Sequence, residues 1–136
     1  MSRIINAHQM KSLALAYMGD TVHDLYVREH LLQKGTIRPQ ELHQTAVRFV
    51  SAGAQAHVAK GWMEDEALDE QEADVFRRGK NAKSGSIPKN TDVRTYRLAT
   101  AFEAVLGYLY LDGDEDRLFE LVSGAITTIE EKEGFR

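Results

Sequence analysis

The sequence predicts an all-helical domain, and three observations carry that expectation. Only two prolines occur in 136 residues, Pro39 and Pro88, and both stand at breaks between apolar runs. Apolar residues recur at spacings of three and four through most of the chain, and no segment reads as a strand. Gly35 and Gly113 follow the ends of two such runs, where helices ordinarily close. A chain of this length is expected to form one domain, residues 1–136.

The first helix is expected from Ser12, a plausible N-cap, to Gln33, with Leu15, Met18, Val22, Leu25, Tyr26 and Leu32 turned inward. Thr36 to Pro39 is a turn, and Pro39 is pre-set for a first helical position. A second helix then runs to Val50 with Leu42, Ala46 and Phe49 on one face. An alanine-rich helix from Ser51 to Lys60 is expected to stop at Gly61-Trp62. The next spans Asp65 to Arg78, acids at its start and bases at its end, which complements the helix macrodipole. Gly79 to Asn90 holds Gly, Ser, Asn and Pro and reads as irregular. Asn90 or Thr91 caps a long helix to Leu111. A last helix runs from Asp114 to Lys132 with Leu118, Leu121, Val122, Ala125 and Ile129 inward.

Composition narrows the chemistry. There is no cysteine, which removes disulfide frameworks, thiolate zinc sites and thiol catalysis and fits a reducing compartment. The first residues are polar and no apolar run reaches membrane-spanning length, so a cytoplasmic protein is expected. Charge is segregated. Arg77 to Arg97 carries seven bases against one acid, Asp92; this +6 segment in a chain of −4 leaves −10 elsewhere. Glu64 to Asp74 alone holds seven acids. Such a pattern suggests an acidic body with one polyanion-binding edge.

Two carboxylates stand out because each is set alone in an apolar, small-residue stretch. Asp20 ends Leu-Ala-Leu-Ala-Tyr-Met-Gly-Asp, and Glu103 sits in Ala-Phe-Glu-Ala-Val-Leu-Gly-Tyr-Leu. Burying a carboxylate among such neighbours is costly without a partner. Gly19 and Ala16 beside Asp20, and Ala99, Thr100 and Gly107 beside Glu103, would let two helix backbones approach and the two carboxylates meet. A hard divalent cation such as Mg²⁺ would accept both, which points to phosphodiester chemistry. Pairing of each acid with a nearby Arg or Lys is the structural alternative. The adjacent His23-Asp24 offers a competitor, the ligand pair of HD phosphohydrolases, with His8 and Asp92 or Asp112 as further ligands. His43 and His57 are expected to be partly exposed, and Trp62 and Tyr96 to be packing residues.

At Tyr-Met-Gly-Asp20-Thr-Val and Phe-Glu103-Ala-Val-Leu-Gly-Tyr-Leu-Tyr-Leu-Asp the chain resembles the ribonuclease III endonuclease domain. The segment Arg78-Gly-Lys-Asn-Ala-Lys-Ser-Gly-Ser-Ile-Pro-Lys-Asn-Thr-Asp92, with the Tyr-Arg-x-Ala-Thr-Ala-Phe-Glu run after it, resembles the short mini-ribonuclease III branch, which has no double-stranded RNA-binding domain. The resemblance covers about Leu13 to Leu121. Longer members carry Glu four residues before the signature Asp and Asp three residues before the second Glu. Here those positions are Ala16 and Thr100, as fits the short branch.

The resemblance implies a homodimeric helical bundle that cleaves double-stranded RNA with Mg²⁺. Asp20 and Glu103 would be its catalytic, metal-holding residues, and the 23S ribosomal RNA precursor its substrate. Products would carry 5′-phosphate and 3′-hydroxyl ends. Duplex RNA is gripped mainly through phosphates and 2′-hydroxyls, and Lys80, Lys83, Lys89, Arg94 and Arg97 are the cations expected to hold it. The helices around Leu15 to Leu25 or Tyr96 to Leu106 are the expected dimer interface. A helical dimer that binds RNA without cutting it is the non-enzymatic alternative.

Overall fold

The computed structural model describes residues 2–83, 87 and 89–134. Among them are six α-helices and no strand: α1 Ser12–Lys34, α2 Leu42–Val50, α3 Ala52–Glu64, α4 Glu70–Lys80, α5 Val93–Asp112 and α6 Glu115–Glu133. The fold is all-α, as the periodicity predicts. α5 is the central helix. From Leu98 to Leu111 every residue except Glu103 and Tyr110 is buried. α1, α3 and α4 pack around it, with α1 in the most extensive contact. A helix apolar nearly all round belongs in the middle of a bundle, so Leu98 to Leu106 serves mainly the core, while Tyr96 is half-buried and Arg97 exposed.

The caps account for most boundaries. Asp92 accepts from Thr95 N–H at 3.1 Å and starts α5, a position later than Asn90 or Thr91. Asp114 accepts from Arg117 N–H and starts α6. Gly35 (φ 69°) and Gly113 (φ 84°) end α1 and α5 in the left-handed conformation. Ser12 is the first residue within α1, and Lys11 holds the cap position.

Two elements differ from the sequence expectation. α3 does not stop at Gly61 but continues to Glu64. Trp62 is buried there, stacked on Phe102 at 5.0 Å between ring centres and leaning on Phe76. That packing outweighs the roughly 1 kcal/mol helix cost of one glycine. α4 begins at Glu70, five residues later than charge alone suggests. Asp69 and Glu72 form a capping box (2.8 and 3.0 Å). Glu72 is buried and receives both Nε and Nη2 of Arg117, at 2.9 and 2.8 Å. The start of α4 is thus fixed by a tie to α6, and Glu64 to Glu66 lie outside it.

On α1 the buried stripe is Leu15, Ala16, Gly19, Val22, His23, Val27 and Leu31. Leu25 and Leu32, expected inward, are 61% and 65% exposed. The inward face is set by the small residues that let α1 approach α5, which rotates these two leucines outward. α6 buries Leu118, Leu121, Val122, Ala125 and Ile129 as expected.

Candidate active site

The α1–α5 crossing is closer than side chains allow. A Cβ on Gly19 would lie 1.7 Å from the carbonyl oxygen of Glu103, and one on Gly107 would lie 1.9 Å from that of Leu15. The two glycines therefore seat one backbone against the other. Asp20 follows Gly19, and Glu103 lies one turn before Gly107, so the same contact brings the two carboxyl groups together. They lie close enough that Asp20 raises the pKa of Glu103. Asp20 is exposed and Glu103 half-buried.

The electrostatics of the pair are unfavourable without a cation. Burial pushes the Glu103 carboxyl up to about 8, and the neighbouring Asp20 carboxyl pushes the same way; Gln55 pulls in the opposite direction. Two carboxyl groups this close cannot readily both ionise. A divalent cation with a preference for oxygen relieves that conflict, so the donor set fits Mg²⁺, which is commonly held by one or two carboxylates and keeps its remaining positions for water and phosphate. Among the described residues no group of three or more His, Cys, Asp or Glu could form a metal cage. The neighbouring positions explain why: Ala16 is buried, and the buried Thr100 hydroxyl donates back to the Tyr96 carbonyl at 3.0 Å.

That geometry also disposes of the HD arrangement. His23 is fully buried, with its edge against Phe102 at 4.8 Å, and Asp24 pairs with Arg28 at 2.9 Å. Burial lowers the His23 imidazole to about 4, partly countered by Asp24, so the ring is neutral. His8 pairs with Asp74 instead. His43 and His57 are exposed.

One polar residue of the site was missed by sequence reasoning. Gln55 of α3 is buried, and its Nε2 donates to Glu103 Oε2 at 3.4 Å and to His23 Nδ1 at 3.1 Å. It stands in Ser-Ala-Gly-Ala-Gln-Ala-His-Val-Ala. A lone amide among alanines is the same signal that singles out Asp20 and Glu103.

The basic segment divides in two. Arg77 and Arg78 pair with Asp74, and Arg78 also donates to the His8 and Met10 carbonyls. Both are committed to the fold. Lys80, Lys83, Lys89, Arg94 and Arg97 make no ion pair among the described residues, and all are exposed except the half-buried Lys80. Lys80, Arg94 and Arg97 line one depression; Lys83 and Arg97 line a second with Leu13, Tyr96 and Thr100. Thr100 is one turn before Glu103 on α5, and neither carboxylate itself lines either depression. Ser84 to Ser86 and Pro88, part of the segment expected to be irregular, lie outside the described residues.

An all-helical bundle with an acidic pair at a glycine-seated crossing and a strip of free cations has the features of a nuclease of the ribonuclease III type. The Ribonuclease III domain model matches residues 13–114. A mini-ribonuclease 3 from Streptococcus pneumoniae is 42% identical over 127 residues, covering 93% of this chain and 99% of the relative. One from Brevibacillus brevis is 50% identical over 118 residues, covering 87% of each. The crystal structure of protein FN1578 from Fusobacterium nucleatum superimposes with a TM-score of 0.77 at 29% identity, covering 88% of this chain and 94% of that one. The chain belongs to the ribonuclease III family, in its mini-ribonuclease III branch. It is an endoribonuclease of a metal-dependent class, and its substrate is RNA.

Proposed function

We propose that this protein is a Mg²⁺-dependent endonuclease of double-stranded RNA, acting as a homodimer in the cytoplasm, with the 23S ribosomal RNA precursor as its cellular substrate. The whole chain, residues 1–136, is read as one catalytic domain, since one core joins all six helices. The observation that carries the reading is the Asp20–Glu103 pair at the α1–α5 crossing, with exposed Arg94 and Arg97 in the first turns of the same α5 that carries Glu103. The precursor assignment rests on the family resemblance.

Asp20 and Glu103 are the residues that would hold Mg²⁺. When bound, such an ion supplies a water of lowered pKa and stabilises charge on the leaving oxygen. The exposed Asp20 faces the substrate side, while Glu103 is supported from the core by Gln55. Lys80, Lys83, Arg94 and Arg97 would hold phosphates around the two depressions, and Lys89 extends the strip. Loss of the 3′ oxygen as leaving group puts the phosphate on the 5′ end of the downstream fragment and a hydroxyl on the 3′ end of the upstream one. Incubation of pure protein with duplex RNA should give 5′-phosphorylated fragments in Mg²⁺ and none in chelator. Cutting in chelator, or none with Mg²⁺, would refute this reading.

Dimerisation is supported by α1. Leu13 is exposed and Tyr17 is 83% exposed. They lie on one face, one turn apart, and Tyr17 is one turn before Asp20. An isologous contact through that face would set two sites about a two-fold axis. Sedimentation should find a dimer at micromolar concentration and mostly monomer for Tyr17→Asp. A fully active monomer would rule the dimer out.

The cation strip predicts a salt effect. Each phosphate contact contributes about 0.9 to the log–log salt slope on B-form DNA, taken as a rough guide for duplex RNA. Lys83→Ala with Lys89→Ala should therefore shallow the slope by up to ~2 per subunit and weaken binding. The fold should hold, because exposed lysines contribute little to it. An unchanged slope would place the RNA elsewhere.

A further inference from the structure

We propose that Gln55 is the positioning residue of the Glu103 carboxylate, and that the His23 ring fixes which way its amide faces. The inference rests on the reading of Asp20 and Glu103 as the cation site and adds how one of them is held there.

Gln55 reaches from α3 into the α1–α5 crossing, and its amide nitrogen touches both Glu103 Oε2 (3.4 Å) and His23 Nδ1 (3.1 Å). An amide nitrogen has two hydrogens and only donates. Both hydrogens are therefore engaged, one on the carboxylate and one on the ring. His23 Nδ1 must then be the acceptor, and the ring's own proton sits on Nε2. That atom is buried and without a hydrogen-bond partner among the described residues. An unpaired buried N–H is destabilising. A phenyl ring would fill the same space beside Phe102 without that cost. What imidazole offers and phenyl does not is the acceptor at Nδ1.

The acceptor matters because the two ends of an amide are similar in shape and opposite in polarity. Reversed, Gln55 would turn its carbonyl oxygen toward the Glu103 carboxylate and repel it. With Nδ1 accepting, the nitrogen is the end that faces Glu103. A single tether on Oε2 leaves Oε1 free for a cation. It also opposes the push of Asp20, which favours swinging Glu103 away on its three rotatable bonds. Ala16 and Thr100 supply no further carboxylate, so the orientation of these two carries the site.

The test uses Mn²⁺ as the probe, with its affinity for RNA-free protein read by electron paramagnetic resonance. Asp20→Asn and Glu103→Gln should abolish binding. Gln55→Met, of similar volume but without donors, should weaken it about 10-fold or more, the usual effect of losing an outer-shell partner. Its melting temperature should fall modestly, because His23 Nδ1 loses its donor, while its RNA affinity in metal-free buffer should stay near that of the parent. Raising Mn²⁺ should restore cleavage in Gln55→Met but not in Glu103→Gln, a rescue that general loosening of the fold would not give. His23→Phe should weaken Mn²⁺ binding less, and adding it to Gln55→Met should cost nothing more, because His23 acts only through Gln55. Unchanged Mn²⁺ affinity in Gln55→Met, with binding lost in Asp20→Asn and Glu103→Gln, overturns the positioning role and leaves the cation site standing. Unchanged affinity in all of them overturns the cation site itself. Should Gln55→Met fail to fold, His23→Phe decides: parental Mn²⁺ affinity there overturns the proposal.

Discussion

Asp20→Asn is expected to leave a folded protein that binds duplex RNA and cuts it at least ~10³-fold more slowly at saturating Mg²⁺, a loss of about 4 kcal/mol of transition-state stabilisation. Asparagine keeps the shape of the side chain and removes the charge that a divalent ion needs. Stability should move the other way. Asp20 helps to push the Glu103 carboxyl up to about 8, after the larger effect of burial. Taking away that neighbour relieves a repulsion in the metal-free protein, so the melting temperature in chelator should rise slightly. Glu103→Gln should be equally inactive. Such a gain in stability with loss of function is the mark of a site selected for chemistry at the expense of the fold. More than a few per cent of residual activity in Asp20→Asn would count against Asp20 as a metal ligand, and unfolding of both variants would mean that the carboxylates are structural.

The sequence carried the site further than it carried some of the helices. Asp20 and Glu103 were legible because each is a charge in an apolar stretch, with glycines at the spacing that permits close approach. Their meeting requires both Gly19 and Gly107, and both patterns are local. Leu25 and Leu32 were misassigned because their spacing fits an apolar stripe; only the position of α5 says which stripe of α1 turns inward. The start of α4 was misplaced because the acids from Glu64 onward suit a helix N-terminus, whereas the boundary is fixed by Arg117, 45 residues from Glu72. Gly61 looked like a stop because the stacking of Trp62 on Phe102 is not visible in one dimension. Gln55 needed no tertiary knowledge to be noticed, but its partners His23 and Glu103 lie on two other helices.

Gly19→Ala and Gly107→Ala are expected to be the most damaging methyl additions in the described structure, while Gly124→Ala should be harmless. All three positions are helical, and in an exposed helix interior the change favours alanine by about 1 kcal/mol. Gly124 has nothing within 4 Å of an added Cβ, so that gain should appear as a small rise in melting temperature. At Gly19 the added carbon would stand 1.7 Å from the Glu103 carbonyl oxygen, and at Gly107 1.9 Å from that of Leu15. Neither obstacle is a flexible side chain, so the helices themselves must separate. Overpacking of this kind costs ~3 kcal/mol or more, which in a domain of this size lowers the melting temperature by roughly 10 °C. The separation also pulls Asp20 away from Glu103. A shift near 1 Å at reacting groups can cost about 10²-fold in rate, so the folded fraction of Gly19→Ala should be slow even well below its melting temperature. Thermal melts together with cleavage rates at 10 °C separate the two effects. If Gly19→Ala melts with the parent, the helices are not held at the distance that joins the carboxylates, and the pair must be brought together by something other than this crossing.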